Sequence, residues 1–247
     1  MSMYKRCMFI LLLVISLSLD GCIGKPTAPE AAPEVSQEQY APVIDPINFV
    51  TRIDNPFLPL IPGTIFIYEG KTEKGNERNE VVVTSDTKVI QGVTCVVVQD
   101  TVLVDGEVEE ATLDWYAQDK DGNVWYFGED SKEYQDGKVV SMEGSWEAGV
   151  DGAQPGIIMK ASPVVGDKYR QEYYTGEAED WAEVLSLSES ATVPTGSYQG
   201  VLLTNEWSAL DQPPVYEHKY YAQGVGFIQE IDVTGGYQVD LIEIRHE

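Results

Sequence analysis

The chain has 247 residues, of which 43% are hydrophobic, so it can bury a core and is not a disordered chain. It carries 41 Asp and Glu residues against 16 Lys and Arg residues, a formal net charge of −25 at pH 7. That balance excludes nucleic acid as a natural partner, because neutralising phosphates needs a basic surface, and it argues against docking on anionic lipid through a basic patch.

The N-terminal segment has the order of an export signal. Lys5 and Arg6 form a short basic region, and residues 7–19 after them are mostly apolar, a length that suits a signal peptide better than a bilayer span. The following Leu-Asp-Gly-Cys stretch, which ends at Cys22, resembles a bacterial-type lipobox. That resemblance implies a signal peptide of residues 1–21 and lipid on Cys22. An ordinary secretory signal and an uncleaved anchor are the alternatives.

The lipidated Cys22 would be the first residue of a tether over residues 22–47. This segment is rich in Pro, Ala and Glu and shows no periodic pattern of apolar residues. A diacylglycerol supplies two acyl chains, enough for stable membrane attachment. The sequence therefore predicts a protein of the cell envelope, exported and held by lipid on the extracytoplasmic face of a membrane. Its single folded domain is expected over residues 48–247.

From residue 64 onward the apolar runs are short, β-branched and aromatic, and turn residues interrupt them. Asp105-Gly106, Asp121-Gly122 and Asp136-Gly137 favour tight hairpin turns, because both residue types accept a positive φ. Successive hairpins make an antiparallel meander, and about ten to twelve strands would form a strongly curved sheet, a half-barrel or a barrel. The expected fold is all-β with little helix. The segment 176–185 could form two helical turns, but a strand is preferred there.

Residues 114–130 have two interpretations. Asp119, Asp121 and Asn123 offer hard oxygens at alternate positions, with Asp130 following, and Ca²⁺ prefers such ligands. The match to an EF-hand loop is poor, and no helices flank the segment. A hairpin with an Asp-Gly turn explains the glycine, the aromatic residues and the alternation together, and is preferred. A Ca²⁺ site on these four residues, as the one cofactor considered, is the alternative.

The same hairpin gives the candidate ligand-contacting residues. A two-residue turn would pair Tyr116 with Phe127 and Gln118 with Trp125, placing Tyr116, Trp125 and Phe127 on one face. Trp146 lies in a long Gly-rich segment and could stack on a flat ligand. Core packing is the default interpretation of these aromatic side chains, and a ligand-lining wall is the alternative.

The predicted pairing also sets Asp114 opposite Glu129. Like charges in that position are unfavourable unless water or a cation screens them. A cation at this end of the hairpin, with Asp130 nearby, is therefore a second metal hypothesis.

Four segments carry a family resemblance: Asp119–Asp130, Trp146–Met159, Thr192–Tyr198 and Tyr220–Ile228. Over about 200 residues the chain resembles a family of uncharacterised exported lipoproteins of bacteria and archaea. The resemblance implies an exported β-protein and supplies no activity. The last segments are also distantly similar to LolA-like curved sheets, which would imply an apolar groove.

The sequence contains no nucleophile elbow, no zinc-protease motif and no phosphate-binding glycine loop. The favoured function is a non-enzymatic binding module with an unidentified ligand, an apolar molecule in the concave face being the first expectation. One alternative is a structural or assembly partner of another envelope protein. The other is a carboxylate-dependent enzyme acting on glycans, with Trp146 or Trp181 as a sugar platform.

Overall fold

The computed structural model describes residues 40–246 of the chain. Apart from one 3-10 turn at Pro46–Asn48, the regular structure there is all strand. The first nine strands are β1 Phe49–Val50, β2 Ile53–Asn55, β3 Leu58–Leu60, β4 Thr64–Lys71, β5 Asn76–Ile90, β6 Val93–Val104, β7 Glu107–Asp119, β8 Val124–Gln135 and β9 Lys138–Ser141. The others are β10 Trp146–Glu147, β11 Gln154–Met159, β12 Lys168–Arg170, β13 Glu172–Tyr173, β14 Asp180–Val193, β15 Gly196–Ser208, β16 Glu217–Ala222, β17 Gly226–Asp232 and β18 Gln238–His246.

Sixteen of these strands form one antiparallel sheet that is nearly closed as a barrel. Its main path runs in the order β12, β14, β15, β16, β17, β18, β4, β5, β6, β7, β8, β11 and β13. The two ends of this path meet in one stretch of chain, because β12 pairs with β14 and β13 pairs with β11, with only Gln171 between β12 and β13. The barrel thus closes where consecutive residues join opposite edges of the sheet.

The expectation of an all-β antiparallel meander in a strongly curved sheet is confirmed. The described chain has more strands than the sequence suggested, because several of them are only two to four residues long. Strands that short leave no readable alternation of apolar and polar residues. No helix in the described part of the chain has the length and apolar character needed to cross a bilayer.

Two of the three Asp-Gly pairs form the expected two-residue hairpin turns. Asp105 and Asp136 have φ angles of 49° and 52°, and each is followed by a glycine that also has positive φ. Asp121-Gly122 behaves differently. The hairpin there closes between Asp119 and Asn123, so the loop has three residues, with Gly122 at φ 95°. This loop is the common alternative in which a type I turn is followed by one left-handed residue.

A small hairpin of β2 and β3 covers one end of the barrel, called here the plugged end. Ile53 and Leu60 enter the core, and Gly224 N–H donates to the Pro56 carbonyl at 2.7 Å. Asn55 fastens the hairpin, since its Nδ2 donates to the carbonyl oxygens of Gly122 at 2.8 Å and Lys160 at 3.2 Å. The loop between β7 and β8 lies at this end, and the Asp105 turn lies at the opposite end of β7.

Asn55→Ala is expected to lower the free energy of unfolding by about 2–3 kcal/mol, because the change leaves buried backbone groups without partners. Asn55 Oδ1 also accepts from Phe57 N–H at 2.8 Å, so three hydrogen bonds are lost together. Urea denaturation with an unchanged slope is the measurement. The matched control is Asn76→Ala at an exposed position, expected within about 0.5 kcal/mol of the parent. Equal losses in both variants would contradict this account of the plug.

Candidate functional site

The interior of the barrel changes from apolar to acidic along its axis. Paired residues of neighbouring strands share a face, and alternate residues of one strand point inward. One interior row runs across four strands through Val83, Val98, Asp114 and Glu129. The next row away from the plugged end includes Asp100, which pairs with Thr112. Carboxyl groups therefore enter the interior in the half that lies away from the plug.

Five acidic side chains of this half of the interior form a group that we call the β7 cluster. Three of them are almost completely shielded from solvent, with exposed fractions of 0% for Asp114, 1% for Glu172 and 4% for Asp100. The remaining two keep part of their surface exposed. The members of the cluster are Asp100, Glu110, Asp114, Glu129 and Glu172.

Aromatic side chains form one wall of the β7 cluster. Tyr116 and Tyr126 stack with ring centroids 4.8 Å apart, and Trp146 meets Tyr126 edge-on at 5.5 Å. The Tyr126 hydroxyl donates to Asp114 Oδ1 at 2.6 Å, and Trp146 Nε1 donates to Glu172 Oε2 at 2.9 Å. These contacts fix the orientation of two carboxyl groups against a rigid aromatic surface.

In this arrangement, two aspartates each have one carboxyl oxygen without a hydrogen-bond partner among the described residues. Asp100 Oδ2 and Asp114 Oδ2 are buried and have no hydrogen-bond partner among the described residues. No ion pair joins Asp100, Asp114 or Glu129 to a basic side chain in residues 40–246. Buried polar atoms are normally satisfied, so these two oxygens mark an incomplete environment.

Burial and mutual repulsion both oppose ionisation of the β7 cluster. Burial, reinforced by the charges of Asp114 and Glu110, raises the pKa of Asp100 well above its usual range. Burial and the neighbouring charges of Glu172 and Asp114 do the same to the pKa of Glu129. Burial raises the pKa of Asp114 to about 6, although the Tyr126 hydrogen bond works in the opposite direction. Each of these three carboxyl groups therefore holds its proton more tightly than a carboxyl group in water does.

A second group of buried acids, called here the lysine cluster, surrounds Lys219. Its Nζ lies 3.1 Å from a carboxylate oxygen of Glu206, 3.3 Å from Glu217 and 3.7 Å from Glu230. Glu206 also accepts from the Tyr221 hydroxyl at 3.0 Å. Lys219 is the one basic side chain in the described part of the chain that is fully buried.

The ammonium group decides the protonation of this second cluster. Burial is the largest single effect on Glu206 and would raise its pKa, but the Lys219 charge together with hydrogen bonds from Thr204 and Lys219 holds that pKa below its usual range. Burial alone would lower the pKa of Lys219, and the three surrounding glutamates raise it well above its usual range. Burial raises the pKa of Glu230 well above its usual range, helped by Glu217. One cation thus sustains a charged pair with Glu206 inside the barrel.

Two of the residues proposed as Ca²⁺ ligands, Asp119 and Asn123, already make hydrogen bonds with each other within the hairpin. Asp119 Oδ1 accepts from Asn123 N–H, and its Oδ2 accepts from Asn123 Nδ2 and Trp125 Nε1, all at 2.8 Å. Asp121 is exposed, and Asp130 pairs with Lys132 at 2.8 Å. Within residues 40–246, no group of three or more His, Cys, Asp or Glu side chains is arranged to hold a metal ion. The Ca²⁺ site stays a prediction.

The four candidate ligand-contacting aromatics fall on two faces. Tyr116 and Trp146 are buried beside the β7 cluster, whereas Trp125 and Phe127 contact Phe49 at centroid distances of 6.3 and 5.6 Å on the opposite face of β8. The predicted pairing of Tyr116 with Phe127 is wrong, since Tyr116 pairs with Tyr126. The three-residue loop shifts the register by one, which turns every side chain near it to the other face.

A bulge restores part of the predicted register farther from the turn. Between Tyr116 and Asp114 the pairing of β7 with β8 slips by one residue, and Asp114 then faces Glu129 as expected. The sequence therefore located one acidic pair of the site. It missed the lysine cluster, whose only local signal is the alternation of Glu217, Lys219 and Tyr221 along β16.

The residues proposed for export and lipidation, including Cys22 and residues 1–21, lie outside the described residues. The tether over residues 22–47 lies outside them in its first part as well. Residues from Ala41 onward form one compact unit.

No family model matches this chain, and no curated protein matches it. A protein of Bacteroides fragilis NCTC 9343, described as exported and with a YmcC-like fold, is 14% identical over 76% of this chain and 98% of its own, with a TM-score of 0.43. A protein of Parabacteroides distasonis ATCC 8503, described as a lipoprotein, is 15% identical over 77% and 99%, with a TM-score of 0.42. Both come from bacteria, and neither description mentions LolA. Similarity this low transfers neither a site nor an activity to this chain.

Proposed function

We propose that the protein is a lipid-anchored, non-enzymatic binding module of the cell envelope, and that its binding site is the β7 cluster inside the barrel. The export signal and the lipobox-like sequence ending at Cys22 support the anchor. The acidic net charge of −25 leaves the lipid, and not a basic patch, to hold the protein at a membrane.

One observation supports the proposed binding site most directly. Asp100 and Asp114 each keep a buried carboxyl oxygen without a hydrogen-bond partner among the described residues. Such groups cost stability when they remain unsatisfied. Sequences tend to retain costly local arrangements at functional sites, so the arrangement supports a site that a ligand completes. The buried acids and phenols favour a polar, cationic ligand over the apolar ligand suggested by the sequence.

The position of the site suits a membrane-anchored protein. The chain enters the barrel at the plugged end, where Lys120 N–H donates to the Asn48 carbonyl at 2.7 Å and Phe49 pairs with Asp119. The β7 cluster lies farther along β7, toward Glu107 at the opposite end. A strand of 13 residues spans about 40 Å. Residues 48–50 therefore lie at one end of the domain, and the acidic half of the interior lies toward the other.

The anchor is tested by labelling with a radioactive fatty acid in a bacterial host, followed by detergent phase partition. The wild-type chain is expected to carry label and enter the detergent phase, whereas Cys22→Ser should lose both properties because the lipobox-like sequence then has no thiol to be acylated. Cys7→Ser, in the segment that is removed, is the matched control and should behave as wild type. Retention of label in Cys22→Ser would contradict lipid anchoring at this residue.

A further inference from the structure

We propose, building on the proposed binding site, that the β7 cluster binds the primary ammonium group of a small amine ligand. Two acidic clusters lie inside the same barrel: the ammonium group of Lys219 lies in one, and no basic side chain of residues 40–246 forms an ion pair with Asp100, Asp114 or Glu129 of the other.

The lysine cluster shows how this interior accommodates an ammonium group. Carboxylate oxygens of Glu206 and Glu217 lie within hydrogen-bond distance of Lys219 Nζ, at 3.1 and 3.3 Å, and an oxygen of Glu230 lies 3.7 Å away as a longer ion-pair contact. The Tyr221 hydroxyl donates to Glu206, the carboxylate nearest to the cation, at 3.0 Å. These contacts link the buried cation, two carboxylates and one tyrosine hydroxyl, while the most distant carboxylate oxygen, Glu230 Oε2, has no hydrogen-bond partner among the described residues.

Within residues 40–246, the β7 cluster has the same kinds of group except the cation. The Tyr126 hydroxyl donates to Asp114 at 2.6 Å, as Tyr221 does to Glu206. Asp100 and Asp114, both more than nine-tenths buried, lie on the same interior face and keep their Oδ2 atoms unpartnered among the described residues. The nearest lysine on β8, Lys132, pairs with Asp130 on the other face of that strand.

The surroundings favour an alkylammonium ion over a metal ion. In the described part of the chain, no three acidic or histidine side chains converge as a metal site requires. The stacked rings of Tyr116 and Tyr126 offer an apolar surface for an alkyl chain beside the carboxyl groups. On the interior face of β7, exposure increases from the buried Asp114 to the partly exposed Glu110, so the cluster lies nearest to solvent at its Glu110 end.

The test is isothermal titration of the full chain, purified in detergent, with 1,5-diaminopentane, and in parallel with tetramethylammonium and CaCl₂. Saturable binding of the diamine is expected, with an affinity roughly tenfold to a hundredfold lower in Asp114→Asn, since a charge-assisted hydrogen bond is lost. The amide oxygen introduced by this substitution can still accept from the Tyr126 hydroxyl, so the variant should fold. Glu129→Gln is a second variant with the same expected direction.

Asp130→Asn, on the opposite face of β8 from Glu129, is the matched control and should bind the diamine like wild type. Equal losses in Asp130→Asn and Asp114→Asn would overturn the site. Binding of Ca²⁺ or tetramethylammonium that depends on Asp114, without binding of the diamine, would overturn the ammonium specificity and leave the proposed function standing. Failure of all three cations to bind would overturn both proposals.

Discussion

Lys219→Met is expected to lower the free energy of unfolding by about 3–5 kcal/mol at pH 7, because it removes the one cation from a buried group of carboxylates. Glu206 is affected most, since the Lys219 charge is the largest of the effects that lower its pKa despite its burial. Without that charge, Glu206 must either take up a proton or remain as an isolated buried anion. Urea denaturation followed by tryptophan fluorescence measures the loss.

Two further variants separate this electrostatic effect from a loss of packing. Combining Lys219→Met with Glu206→Gln, Glu217→Gln and Glu230→Gln should recover most of the lost stability, because replacing a whole buried ion network is far less harmful than breaking it. Lys132→Met, at a partly exposed position with a surface ion pair, should change stability by less than about 1 kcal/mol. A Lys219→Met loss no larger than that of Lys132→Met would contradict the role assigned to the cation.

Asp114→Asn is expected to raise the free energy of unfolding by about 3 kcal/mol at pH 7 in the absence of ligand. The pKa of Asp114 is about 6 in the folded protein against a reference value of 3.8, and each pKa unit corresponds to about 1.4 kcal/mol. The folded state holds the proton more tightly than the unfolded state. The stability contributed by this proton is therefore fully present below pH 3.8 and is lost as the pH rises through about 6.

The variant should accordingly show its full advantage above about pH 6 and none below about pH 4. Urea denaturation of wild type and Asp114→Asn across this pH range measures the difference. Asp130→Asn is the control and should show no comparable gain, because Asp130 has a lysine partner and is partly exposed. A gain for Asp114→Asn that is equally large at both ends of the range would contradict the titration of Asp114 as its cause.

The fold class could be predicted from the sequence, because turn residues and the alternation of apolar and polar residues are local properties of the chain. Asp105-Gly106 and Asp136-Gly137 fixed two hairpins directly, since their backbone angles leave few alternatives. The place where the barrel closes could not be predicted from the sequence. It depends on Gln171 lying between two short strands that pair with opposite edges of the sheet, which is a long-range contact without a local pattern.

Only part of the candidate site could be predicted from the sequence, because the rest also depends on long-range strand pairing. The opposition of Asp114 and Glu129 followed from the hairpin, but the one-residue difference in loop length moved Trp125 and Phe127 to the other face. On β16, Lys219 alternates with His218 and Tyr220, and either face could have been the inner one. Only the pairing of Lys219 with Glu230 and Thr204 places its side chain inside the barrel.

The central claim is that the barrel interior buries carboxyl groups for which residues 40–246 supply no matching cation, and carboxyl ¹³C NMR titration tests it most directly. Assignment by Asp100→Asn, Asp114→Asn and Glu129→Gln would give residue-specific curves. The account predicts that Asp114 titrates near pH 6 and that Asp100 and Glu129 titrate well above the usual carboxyl range. Titration of all three at ordinary carboxyl pKa values would contradict it, because these groups would then be solvated or neutralised.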